Sequence, residues 1–139
     1  PDSKLVIIGE GEDHQKIQER IIELSLQECV IMTGAIANVN EWMQAMDVFL
    51  LPSRFEGLPV VAIEAQAAGL PCICSDKFSK ASAITKNVEF LSLELSKEEW
   101  ANCILDHKND SRENTYQELT ESGYNIENEV ETFYDVFCK

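Results

Sequence analysis

The sequence predicts a doubly wound α/β domain, a parallel sheet with helices on both faces and a helical C-terminus. Three observations carry that expectation. Short continuous apolar runs are each stopped by glycine or proline, as in strands buried on both faces. Segments with apolar residues at helical spacing alternate with those runs. The length of 139 residues fits one domain and leaves little room for two.

Taken in order, residues 4–8 (KLVII) form a buried strand closed by Gly9-Glu10-Gly11. Residues 13–26 carry Ile17, Ile21, Ile22 and Leu24 on a helical stripe with a charged outer face. Residues 29–33 are a second strand ending at Gly34, and 40–46 fit a short helix with Trp42, Met43 and Met46 apolar. Residues 47–51 (DVFLL) are a third strand, stopped by Pro52-Ser53. Residues 59–68 read as a helix closed by Gly69 and Pro71. Residues 72–75 and 88–93 are the fourth and fifth strands. Helices are expected over 97–107, 111–121 and 126–137; the last places Ile126, Val130, Phe133, Tyr134 and Phe137 on one stripe, too apolar to remain uncovered.

Composition narrows the function. Eleven Lys+Arg against 25 Asp+Glu give a formal charge of −14, which argues against a sequence-independent nucleic-acid binder and an anionic-membrane anchor. No run is long enough to span a membrane, and no signal peptide is recognisable. The chain has no initiating Met and is read as a piece of a longer protein. The five cysteines (29, 72, 74, 103 and 138) are scattered and mostly set in apolar runs, as buried free thiols would be. Cys72 and Cys74 alternate on a strand with only His14 and His107 available to complete a set, so no metal site is expected. Trp42 and Trp100 read as core or interface, His14 as a solvated residue opening a helix, and Glu127, Glu129 and Glu131 as a solvated helix face.

Ligands of open α/β sheets bind outside the carboxyl ends of the strands, which directs attention to the loops there. Gly9-Glu10-Gly11 lacks the third glycine of a dinucleotide fingerprint, and a tight turn explains it as well as a site does. The segment at 52–71 is more informative. Pro59 suits a first helical position, while Leu58 before it offers no side-chain cap. The helix therefore starts with free N–H donors and a positive dipole end, and Gly57 lets another group approach the backbone. Such a tip can receive a diphosphate, or be capped by water or a neighbouring loop. Glu64, among Val60, Val61, Ala67 and Ala68, either meets ligand hydroxyls or lies on the surface. Glu56 stands in the loop before the helix.

The pattern Pro-Ser-x-x-Glu-Gly-x-Pro…Glu-Ala-x-Ala-x-Gly-x-Pro, with Glu56 and Glu64, resembles the signature of the GT-B glycosyltransferases of the retaining, group-1 kind. The resemblance runs from about residue 4 to 76; 80–93 and Trp100 resemble the subset that builds capsular or exopolysaccharide. It implies that residues 1–139 are a single nucleotide-sugar-binding domain, the Rossmann-like donor half of a GT-B enzyme, with the acceptor domain and the first elements of this one absent. Glu56 would be the catalytic residue, contacting donor-sugar hydroxyls near the anomeric carbon and helping to stabilise the oxocarbenium-like transition state. Gly57, Leu58, Pro59 and Val60 would lie against the diphosphate and sugar, Glu64 would accept from ribose hydroxyls, and Ile36 would meet the base. No cofactor and no metal are implied. The partners would be a nucleotide-sugar and, through the other domain, a glycan or lipid-linked acceptor. The location would be cytoplasmic, or peripheral to the inner face of the membrane. The loop Asp76-Lys77-Phe78-Ser79-Lys80-Ala81 departs from the family's Gly-rich acidic form. Two other readings are a nucleotide-sugar epimerase of the same architecture and a non-catalytic α/β interaction module.

Overall fold

The computed structural model describes residues 3–77 and 79–137, the side chains at 131–133, 135 and 137 excepted. It is an α/β structure whose five strands all pair in parallel, shared between a two-stranded and a three-stranded sheet. The chain separates into two compact units, residues 1–39 and 40–139.

The first unit is a strand–helix–strand crossover. β1 (Leu5–Ile8) leads to α1 (His14–Glu23) and β2 (Val30–Gly34), and the strands pair Leu5 with Val30 and Ile8 with Gly34 across an irregularity at Ile7/Ile8. The expected glycines serve geometry here. Gly34 at φ 68° and Gly9 at φ 128° adopt conformations that other residues rarely hold, and the Gly9 amide donates to the Gly34 carbonyl at 2.9 Å. The α1 helix is shorter than the 13–26 expected; it ends as Ser25 turns to φ 55°.

The second unit holds the three-stranded sheet in the order β3 (Phe49–Leu51), β4 (Cys72–Ser75), β5 (Val88–Leu91). The helices around it are α2 (Val39–Gln44, whose first residue belongs to the first unit), α3 (Val60–Ala67), α4 (Lys97–Asp106), α5 (Tyr116–Glu121) and α6 (Ile126–Phe137). A 3-10 turn over Lys80–Ser82, absent from the sequence expectation, follows β4 and is capped by Ser79. The core centres on β4, buried along its whole length, with Ala62, Ile63, Ala65 and Leu70 packed beside it. Burial pushes the Cys72 thiol up to about 12 and the Cys74 thiol to about 11, so both stay protonated and inert at neutral pH. Cys29 and Cys103 are half-buried free thiols, and Cys138 lies outside the described residues.

Trp100 is half-buried and its indole N–H donates to the Ser92 carbonyl at 3.0 Å, while Trp42 is half-buried on α2. Among the described residues the expected stripe on α6 is uncovered. Ile126, Val130 and Tyr134 are exposed, and the side chains of Phe133 and Phe137 lie outside the described residues. Among the described residues no helix is long and apolar enough to cross a membrane.

Candidate functional site

In the second unit the loops that follow β3 and β4 emerge at one end of a parallel sheet. Two serines shape that end. The Ser75 hydroxyl, at the tip of β4, donates to the Ser53 carbonyl just beyond β3 and ties the neighbouring strand ends together. The Ser53 hydroxyl donates to Glu56 Oε1 at 2.7 Å. Glu56 is thereby half-buried and held by one oxygen, and its Oε2 has no hydrogen bond within the described residues. The sequence expectation had Glu56 as a loop residue above a strand end, and missed the serines that hold it. Their signal was a serine closing each of two adjacent strands.

The chain then turns through Gly57, Leu58 and Pro59 into α3. Pro59 is the residue before the helix rather than its first residue, a correction to the expectation: its ψ of 88° is not helical, and its carbonyl accepts from Ala62 N–H at 2.9 Å. No side chain caps the helix. Among the described residues the amides of Val60 and Val61 have no partner. The first-turn donors and the positive end of the helix dipole therefore remain available to an anion. Around the tip, Phe55 is 84% exposed, and Leu58, Val60 and Val61 are exposed as well.

Glu64 lies one turn further along α3 and is exposed. Its helix neighbours Val60 and Val61 share its face, whereas Ala62, Ile63, Ala65 and Gln66 form the buried face. No hydrogen bond or ion pair engages its carboxylate among the described residues, leaving its oxygens free as acceptors. Three basic side chains, Arg54, Lys77 and Lys80, stand exposed on the loops after β3 and β4, with Lys77 3.4 Å from Asp76. Two hollows of the second unit lie elsewhere and include nothing from 53 to 64. One of about 480 Å³ is lined by Ala68, Arg112 and Tyr116, the other of about 340 Å³ by Leu50, Leu93 and Trp100. Within 53–64, Arg54, Phe55, Gly57, Leu58, Val60, Val61 and Glu64 are exposed, while Pro59 is buried.

Ile36, the remaining expected contact, belongs to the first unit, two residues past β2, where it is half-buried between exposed Ala35 and Ala37.

Gln66 was not foreseen, although it fixes α3. It is completely buried, its amide nitrogen donates to the carbonyls of Ala62 and Ser82, and its amide oxygen accepts from the Ile84 and Thr85 amides at 2.9 and 3.0 Å. At the other end of the helix, Arg112 donates to the carbonyls of Ala68, Met43 and Met46, stopping α3 and α2 together.

Residues 1–126 match the family described as glycosyl transferases group 1. EpsF of Bacillus subtilis (strain 168) is 36% identical over 138 residues, which is 96% of this chain and 36% of that protein. The UDP-Gal:alpha-D-GlcNAc-diphosphoundecaprenol alpha-1,3-galactosyltransferase of Escherichia coli is 38% identical over 77 residues, 55% of this chain and 20% of that protein. Among solved structures, Anabaena Alr3699/HepE in complex with UDP superposes with a TM-score of 0.75 at 15% identity, covering 99% of this chain and 41% of that one. The chain thus spans between a fifth and two-fifths of the length of these proteins.

Proposed function

The chain belongs to the group 1 glycosyl transferases, and from that premise we propose that it is the donor-binding part of an enzyme moving a hexose from a nucleotide-sugar to a glycan or lipid-linked acceptor, with retention at the anomeric carbon. The observation that carries this reading is the uncapped start of α3 with Glu64 one turn on along the same exposed face. The amides of Val60 and Val61 and the backbone at Gly57, Leu58 and Pro59 take the diphosphate. Glu64 accepts from the ribose hydroxyls. Glu56, held through one oxygen by Ser53, offers the other to the donor sugar near its anomeric carbon.

In the reaction the anomeric C–O bond to the diphosphate breaks, the nucleoside diphosphate leaves, and an acceptor oxygen bonds the same face while losing its proton. The sugar gains oxocarbenium character, which a carboxylate at Glu56 favours. The leaving diphosphate gains negative charge, which the helix end favours. No metal or cofactor is assigned to these steps.

The acceptor is assigned to the part of the enzyme that this chain does not span, and the chain alone is expected to bind donor without transferring sugar. The E. coli relative's name specifies a diphosphoundecaprenol acceptor, which supports a lipid-linked acceptor. The HepE complex supports a uridine donor.

The test is titration of UDP, GDP and ADP into the protein, followed by amide NMR. One nucleotide should shift residues 57–61, and Glu64→Ala should weaken it about tenfold or more, the scale of losing a charge-assisted hydrogen-bond pair. Shifts that ignore the Glu64 substitution would remove the ribose role from that residue.

A further inference from the structure

Outside this region, among the described residues, the side chains of Glu89, Cys103 and His107 converge, with their potential ligand atoms all within 4.8 Å of one another. The arrangement follows from the fold. Cys103 lies on α4 and His107 caps its C-terminus four residues later, so both project from one helix face. Glu89 projects from β5, the outer strand of the three-stranded sheet. α4 runs back along that strand: Trp100 near its start reaches Ser92, and His107 at its end reaches Glu89.

The imidazole is held from both sides. Its Nδ1 lies 2.8 Å from Asp110 Oδ2, and its Nε2 lies 3.1 Å from Glu89 Oε2. A carboxylate on one ring nitrogen fixes the tautomer and aims the other nitrogen, as second-sphere carboxylates do for metal-bound histidines. Among the described residues the basic group facing Glu89 and Asp110 is His107 itself, and no lysine or arginine pairs with either carboxylate. Glu89 and Asp110 are half-exposed and His107 is 28% exposed, so an ion from solvent can reach them.

We propose that Glu89, Cys103 and His107 form a zinc-type divalent metal site, with Asp110 orienting the histidine and a fourth position open to water. One thiolate, one imidazole and one carboxylate make a mixed S/N/O set that suits a borderline-soft, tetrahedral ion. Bonds of about 2.0–2.3 Å place tetrahedral ligand atoms roughly 3.3–3.7 Å apart. The Nε2–Oε2 pair, at 3.1 Å, opens by about 0.2 Å or more, and the wider 4.8 Å spread closes by side-chain rotation of about 1 Å. On binding, the Cys103 thiol and His107 Nε2 each release a proton to solvent, and the sulfur, Nε2 and the Glu89 carboxylate bond the ion in their place. The site fastens the end of α4 to β5, towards the start of the strand and away from the loops at its carboxyl end. It is therefore a structural clamp, independent of the donor-binding reading.

The experiment uses chelator-treated protein with Co²⁺ as the probe and Zn²⁺ as competitor. One equivalent of Co²⁺ should give four-coordinate d–d absorption with a thiolate-to-metal charge-transfer band, and Zn²⁺ should erase both. Cys103→Ser should lose the charge-transfer band. Asp110→Asn should keep the band but weaken binding about 10- to 100-fold. Zn²⁺ should raise the Tm of the unsubstituted protein and leave that of Cys103→Ser unmoved, a comparison that separates metal loss from misfolding. Absence of a 1:1 charge-transfer band in folded protein, or its persistence in Cys103→Ser, overturns the proposal.

Discussion

Gln66 shows how one side chain can hold a surface it never touches. Its buried amide uses donor and acceptor together to join α3 to the stretch after the 3-10 turn, and its own carbonyl accepts from the Thr115 hydroxyl at 2.7 Å. Gln66→Leu keeps the volume and removes the side chain's polar atoms, leaving the half-buried Ile84 amide and the buried Thr85 amide without an acceptor. A loss of about 2–4 kcal/mol is expected, from two orphaned donors and one orphaned carbonyl, read as a lower urea midpoint. The same substitution should leave the exposed face with Glu64 in place. In an almost wholly apolar helix the sequence singles out Glu64, while Gln66 two residues later sits on the opposite, buried face. A glutamine among alanines is ordinary until its partners, 16 to 19 positions away, are known.

The elements themselves were largely legible. Every expected strand and helix is present in order, because apolar runs stopped by glycine or proline and stripes of period 3.6 are local signals. Their ends were less legible where tertiary bonds set them. The helix expected from 111 begins only at Tyr116, because Arg112 and Thr115 are bound to α2 and α3 before the chain can coil. Gly69 marks the close of α3 in both sequence and structure. It holds φ 71°, and a Cβ there would collide with the Glu113 carbonyl oxygen. Gly69→Ala is therefore expected to cost more than the ~1–2 kcal/mol of a left-handed alanine, since rigid backbone must also move. Thermal unfolding should show it as a clear drop in Tm. A change under about 1 kcal/mol would mean that the 112–115 stretch yields easily.

Across the chain as a whole, charge is the dominant long-range term. With −14 at neutral pH, self-repulsion opposes the compact state, and the exposed pairs Lys16–Asp13 and Arg20–Glu23 offset little of it. Raising NaCl from about 50 mM to about 500 mM should therefore raise Tm, because it shortens the screening length to a few ångströms; a fall would mean that ion pairs outweigh repulsion. At this scale the α/β class and the strand-end loops were readable in advance. The division of strands between two sheets was not, because pairing partners leave no local trace. Nor were Ser53–Ser75 and Glu89–His107, each joining residues about twenty positions apart. The serine stitch has one more consequence. It references Glu56 to the strands, whereas Glu64 and the free amides are referenced to the helix. Under the donor reading, sugar and nucleotide are measured against different rulers, so Arg54 and Phe55 can be rewritten to suit another sugar while the backbone from Gly57 onward keeps its grip on the nucleotide.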